Sequence, residues 1–265
     1  DSGNTDLWIY ELGREKLTRL TFDPAADWFP LWTPDGLRVV FGSSRDGGEG
    51  NLFWKAADGT GQVERLTTSP NRQASYSFSP DGKRLVFLEG NPKTSADLGV
   101  LLMEGEPTPQ PLLQTQFNET RAAISPDGRW IAYRSDESGR FEVYVRPFPN
   151  VEEGKWQISR DGGASPLWGP EGRELFYRSG EAMEAMMVVT IETEPTFTAR
   201  SPEVLFTGRY YTGLGRQYDI SPDGQRFLMM KKGGQTEETS ARPELIVVQN
   251  WFEELKRLVP TGKVE

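Results

Sequence analysis

The chain contains no histidine and no cysteine, so whatever chemistry it performs falls to acids, arginines, tyrosines and serines. Without histidine there are no Ser-His-Asp triads, no histidine-ligated zinc and no imidazole bases. Without cysteine there are no disulfides, thiolate metal sites or thiol nucleophiles. Asp27 and Glu119 are the acids a glycosidase-like pair would require across a cleft, but nothing in their spacing brings them face to face, and that reading is disfavoured. Asp46-Gly47-Gly48 does not complete a calcium-binding EF-hand loop, and Gly47-Gly48-Glu49-Gly50 lacks the Lys-Ser/Thr of a phosphate loop. The sequence is therefore read as non-catalytic, with no cofactor and no metal site. Calcium is the one ion its carboxylates would suit, and no pattern calls for it.

Arginines and aromatics, the favoured anchors of protein interfaces, offer recognition instead. They gather in segments 23–29, 68–75, 114–121, 160–165 and 208–217. These carry Asp27, Trp28, Arg72, Glu119, Arg121, Arg160, Tyr210, Tyr211 and Arg216, with Tyr76 and Tyr218 just beyond. The expectation is a protein or peptide ligand, with Arg72, Arg121 and Arg216 on one face.

A net charge of −9 with no basic run argues against generic binding to nucleic acid or an anionic membrane. No segment approaches the roughly 18 apolar residues of a membrane span, so no membrane insertion is expected, and the chain reads as a monomer. Hydrophobic residues make only 36%, but eight Trp, eight Tyr and fourteen Phe supply large areas for burial.

The elements that must position these residues follow from one repeated hairpin. Ile124-Ser125-Pro126-Asp127-Gly128-Arg129-Trp130-Ile131-Ala132-Tyr133 reads as strand, tight turn, strand. Pro126 presets φ, Asp127 can bond its own backbone, and Gly128 takes a positive φ. The turn recurs at Pro34-Asp35-Gly36, Pro80-Asp81-Gly82, Pro170-Glu171-Gly172 and Pro222-Asp223-Gly224, with the prolines 46, 46, 44 and 52 residues apart. A fixed period of this length is a signature of propeller blades. Each turn is preceded by a large apolar residue (Trp32, Phe78, Ile124, Trp168, Ile220) and followed by an apolar strand.

The pattern opens with the third and outer strands of a unit that lacks its first two. Four units of four strands follow, then one of three, ending at Glu244–Val248. The units run approximately over 5–22, 28–67, 74–113, 120–159, 164–207 and 216–250. Residues 251–258 are predicted to be a short C-terminal helix, capped by Asn250 and with Trp251, Leu255 and Leu258 at helical spacing. The predicted fold is all-β: a six-bladed propeller of four-stranded antiparallel blades, one of them incomplete.

Leu20-Thr21, Pro30-Leu31-Trp32-Thr33-Pro34-Asp35-Gly36, Phe41-Gly42-Ser43-Ser44-Arg45-Asp46-Gly47 and Leu66-Thr67 resemble the repeat of TolB-type bacterial β-propellers, related to WD40-like repeats. The likeness extends over residues 5 to 250. It departs in unit three, which has Leu88-Glu89-Gly90-Asn91-Pro92, and in unit five, which has Glu171 and a long connection over 192–201. The resemblance implies a binding scaffold or sensor domain in a periplasmic or extracytoplasmic setting, with ligands taken at the mouth of the central channel. The end, Val247-Val248-Gln249-Asn250-Trp251-Phe252-Glu253-Glu254-Leu255-Lys256, resembles propellers that follow a kinase or DNA-binding domain in bacterial multidomain sensors. The alternative is a propeller hydrolase or lyase working with carboxylates or a bound calcium at the funnel.

Overall fold

The computed structural model describes residues 5–213 and 215–230; the expected strand at 244–248 and the helix at 251–258 lie outside them. The described strands form six sheets in chain order. The first pairs β1 (Trp8–Glu11) with β2 (Lys16–Arg19). The second holds β3 (Asp27–Trp32), β4 (Arg38–Ser43), β5 (Asn51–Ala56) and β6 (Glu64–Arg65). The third holds β7 (Gln73–Phe78), β8 (Arg84–Asn91), β9 (Ser95–Leu102) and β10 (Thr108–Leu113). The fourth holds β11 (Glu119–Ile124), β12 (Trp130–Ser135), β13 (Glu142–Pro147) and β14 (Trp156–Gln157). The fifth holds β15 (Ala164–Trp168), β16 (Glu174–Ser179) and β17 (Ala185–Glu192), with β18 (Thr198–Ala199) and β19 (Glu203–Thr207) both pairing with β17. The last pairs β20 (Tyr218–Ile220) with β21 (Phe227–Met229). The fold is a six-bladed β-propeller, of whose first and last blades the described residues include two strands each.

The core lies between blades. Alternation along a strand sends neighbouring side chains to opposite faces, and here both faces are covered. On β12, Ile131 and Tyr133 join Val86, Leu98 and Tyr144 on the side of the third blade, while Ala132 joins Trp168, Leu175 and Val189 on the side of the fifth. Five such clusters fill the five interfaces between consecutive sheets. A blade four strands wide cannot keep its own faces dry, so each depends on its neighbours.

The hairpins hold the inner edge. Gly36, Gly82, Gly128, Gly172 and Gly224 all have φ between 68° and 71°. In four of the five turns a hydroxyl precedes the proline and completes a closed network. Ser125 Oγ donates to Asp127 Oδ1 at 2.5 Å and accepts from Trp130 N–H at 3.0 Å, and Asp127 Oδ1 accepts from Arg129 N–H at 3.1 Å. Thr33, Ser79 and Ser221 repeat this pattern. The hydroxyl and backbone bonds hold Asp35, Asp81 and Asp223 below the usual carboxylate range. Unit five has Gly169 in place of the hydroxyl and keeps only the backbone turn, with Gly172 N–H on Gly169 O at 2.9 Å. Successive turns stack: a Cβ on Gly128 would stand 3.3 Å from Pro80 of the previous hairpin.

The repeated Leu-Thr pair also has a physical role. Thr67 Oγ1 accepts from Leu52 N–H at 3.0 Å, and Thr21 and Ser159 do the same for Leu7 and Val143. This ties each outer strand to the strand inside it. The long connection of unit five folds rather than looping free, because β18 pairs antiparallel with the end of β17 and Phe197 buries its ring 4.7 Å from both Trp130 and Trp156.

Candidate functional site

Each complete inner strand breaks register at one place: between Trp28 and Leu31, Ser75 and Ser77, Thr120 and Ala123, and Ala164 and Leu167. These are β-bulges, which bend a strand and re-aim a side chain. The residue five before the hairpin proline sits at each of these breaks: Phe29, Ser75, Arg121 and Ser165; in the last blade the same position, Gln217, directly precedes β20, which pairs without a shift. Phe29, Arg121 and Ser165 are left-handed, with φ of 52°, 55° and 55°. Side chains rarely adopt that conformation, and a fold retains it where surrounding contacts compensate.

The bulges line a central channel of about 830 Å³ that follows β3 from Asp27 to the turn at Pro34. Contacts cross it. Arg121 Nη2 donates to Gly213 O at 2.7 Å and Nη1 to Ser165 Oγ at 2.5 Å; Ser75 Oγ donates to Phe29 O at 2.6 Å. Burial holds the Arg121 guanidinium below its usual value. Tyr76 is raised by burial, partly offset by a hydrogen bond from the Arg121 backbone N–H and by the charges of Arg121, Arg134 and Arg72. Arg134 is pushed down to about 10 by burial and by Arg121.

The structure gathers most of the sequence candidates around this channel. Arg72 lies over the Trp28 ring at 4.8 Å, and Trp28 Nε1 donates to Gln73 O at 3.2 Å. Trp28 is also a packing residue: a Cβ on Gly42 would stand 2.2 Å from its Nε1, so only glycine fits beneath the indole. Arg216 reaches across to Tyr76 O at 3.4 Å and lies 4.0 Å from Asp219. Tyr211 is 43% exposed on the channel wall. Tyr218 is buried on the same wall and donates to Ser165 O at 2.7 Å.

Three candidates stand elsewhere. Tyr210 packs edge-to-face on Phe206 with ring centres 5.9 Å apart, and its ring faces the guanidinium of Arg178 at 5.6 Å. Arg160 is exposed and does not line the channel. Glu119 is buried inside its blade, takes a hydrogen bond from the Thr115 hydroxyl and does not line the channel. Burial, with Asp97 and Glu137 adding like charge, pushes it up to about 7 against the pull of Thr115. Asp27 borders the channel, but its carboxylate is fully buried and paired with Arg45 at 2.9 Å. The two acids thus serve their own blades and do not form a pair across the axis.

Sequence reasoning missed Phe29, Ser75, Ser165 and Gln217. Aligning the five units on their prolines would have exposed this column, because the hairpin fixes the distance to the bulge.

Residues 1–104 match the TolB beta propeller domain family. That match spans the first two sheets and most of the third of this β-propeller. No curated protein matches the sequence. Among solved structures, TolB from Acinetobacter baumannii superposes with a TM-score of 0.66 at 18% identity, over 86% of this chain and 54% of that one. The chain therefore spans about half the length of that protein. An oligogalacturonate lyase in complex with manganese superposes with a TM-score of 0.62 at 13% identity, covering 87% of this chain and 65% of its own. A puromycin-hydrolyzing peptidase from Mycobacterium tuberculosis gives 0.60 at 18% identity, covering 86% and 40%. At these identities the likeness is one of fold, and the fold serves binding proteins and enzymes alike.

Proposed function

We propose that this TolB-like propeller is a non-catalytic platform that receives a protein loop or peptide in its central channel, as a sensor or scaffold part of a larger extracytoplasmic protein. The observation that carries the reading is the channel wall itself. Trp28, Phe29 and Tyr76 on the inner strands and Tyr211 on a connection provide aromatic surface, and Arg72 and Arg216, just before inner strands, provide exposed guanidinium groups. Such side chains dominate interface energetics and lose little conformational freedom when a partner docks.

The alternative, a hydrolase or lyase using carboxylates or calcium at the funnel, is weakened by the placement of the acids. Asp27 is committed to Arg45, and Glu119 lies off the channel. The test is a selection of peptides from a random library on the immobilised protein. Selected peptides are expected to lose at least about tenfold in affinity on Tyr211→Ala or Arg216→Ala, as truncation of an interface anchor does. Peptides indifferent to both changes would place binding outside the channel and end the proposal.

A further inference from the structure

The protein carries nine net negative charges, yet its channel is basic. Arg72, Arg121 and Arg216 line it, and Arg134 stands close enough to depress its own basicity together with Arg121. None of Arg72, Arg121 and Arg134 has a carboxylate within ion-pair distance among the described residues. Arg121 is satisfied by neutral oxygens, those of Ser165 and Gly213. The Nε of Arg134 is buried without a partner. Arg72 is exposed with its guanidinium over the Trp28 ring, and Arg216 makes one long bond to Tyr76 O at 3.4 Å and meets the exposed Asp219 only at 4.0 Å. Elsewhere the same chain pairs its arginines readily, as Arg45 with Asp27 and Arg140 with Glu142.

Uncompensated cations inside a concave, partly dry site favour an anion. A planar guanidinium fork matches a carboxylate in particular. Stacking on Trp28 holds the Arg72 plane in place, which lowers the entropic cost of closing on a ligand. Arg216 lines the same channel, beside Tyr76 O.

We propose, resting on the peptide-binding reading above, that the channel selects acidic peptides, with a carboxylate held between Arg72 and Arg216 and drawn inward by the charge of Arg121. The carboxylate belongs either to an Asp or Glu side chain or to a free C-terminus. The charge complementarity is local: the chain as a whole carries nine net negative charges, so the attraction is confined to the channel.

The probes are fluorescein-labelled hexaglutamate and hexaglutamine, each with a free and an amidated C-terminus, titrated by fluorescence anisotropy at low and high salt. Hexaglutamate is expected to bind at least about tenfold more tightly than amidated hexaglutamine, and to weaken as salt screens the pairing. Arg72→Gln and Arg216→Gln, both at exposed side chains, are expected to remove most of that preference. Arg160→Gln, outside the channel, is expected to leave it unchanged. If free-acid hexaglutamine binds as tightly as hexaglutamate and loses this on amidation, the terminal carboxylate is the ligand group. If amidation changes nothing for hexaglutamate, the side chains are. Equal binding of all four probes overturns the carboxylate preference and leaves the peptide reading standing. Binding of none overturns it too, with the library selection deciding the broader reading separately. An Arg160→Gln loss as large as that of Arg72→Gln would show general surface attraction and also overturn it.

Discussion

Asp27 and Glu119 occupy the same place in two blades, seven residues before the hairpin proline at the foot of an inner strand. Both are buried, at 0% and 2% exposure. The second blade supplies Arg45, at 2.9 Å from Asp27, itself held by Ser43. Glu119, in the fourth blade, meets instead the hydroxyl and backbone N–H of Thr115 on the connection from the third blade, with Asp97 of the third blade and Glu137 of the fourth beyond. One acid therefore has a cation and the other has dipoles and like charges. Glu119 is accordingly pushed up to about 7 from 4.5. Equivalent backbone and equal burial do not give equal electrostatics; the third layer of neighbours decides.

The largest expected effect comes from breaking the paired side. Arg45→Met leaves Asp27 charged, buried and alone, which should cost about 3 kcal/mol. Adding Asp27→Asn should recover most of that, read from urea midpoints. If the double variant is no more stable than Arg45→Met, the ion pair is not what holds this corner.

The unpaired side should show a pH signature instead. The folded protein holds the Glu119 proton more tightly than the unfolded chain does. Its contribution is fully present below pH 4.5 and is lost as pH rises toward about 7. Glu119→Gln should abolish this decline and be more stable than wild type above pH 7 by on the order of 2 kcal/mol. The two should converge below pH 4.5. Parallel stability curves for wild type and variant across that range would refute the assignment.

A smaller effect is expected at the hydroxyl that partly offsets burial. Thr115→Val removes the donor to Glu119 Oε1 and the acceptor for Phe117 N–H at 3.1 Å. It should cost about 1 kcal/mol and move the decline to higher pH, because a group that lowered the Glu119 pKa is gone. A decline at unchanged pH would mean that the hydroxyl does not set the titration.

The blades were legible in the sequence because their turns are local. Pro126, Asp127 and Gly128 each act on their own backbone within a few residues, so the chemistry of the turn is written where it happens. The apolar strands following each turn were legible for the same reason. The channel was legible only in part. Arg72, Arg121 and Arg216 stood out as residue types, but Phe29, Ser75, Ser165 and Gln217 did not. Phe29, Ser75 and Ser165 owe their place to a bulge, and a bulge is a mismatch between two strands rather than a property of either; Gln217 only shares their distance from the hairpin proline. The folding of 192–201 onto β17 was likewise hidden, since Phe197 finds its place between Trp130 and Trp156 of another blade.

Sequence alone determined the all-β class, the repeat and the positions of its hairpins, because turn chemistry and strand periodicity depend on neighbours along the chain. The tertiary structure decided which acids carry a cation, which arginines reach a common channel and which residues pack instead. Those outcomes depend on residues brought together from blades some 45 positions apart in sequence, as Arg121 and Ser165 are, and the field inside a closed ring exists only once the ring has formed.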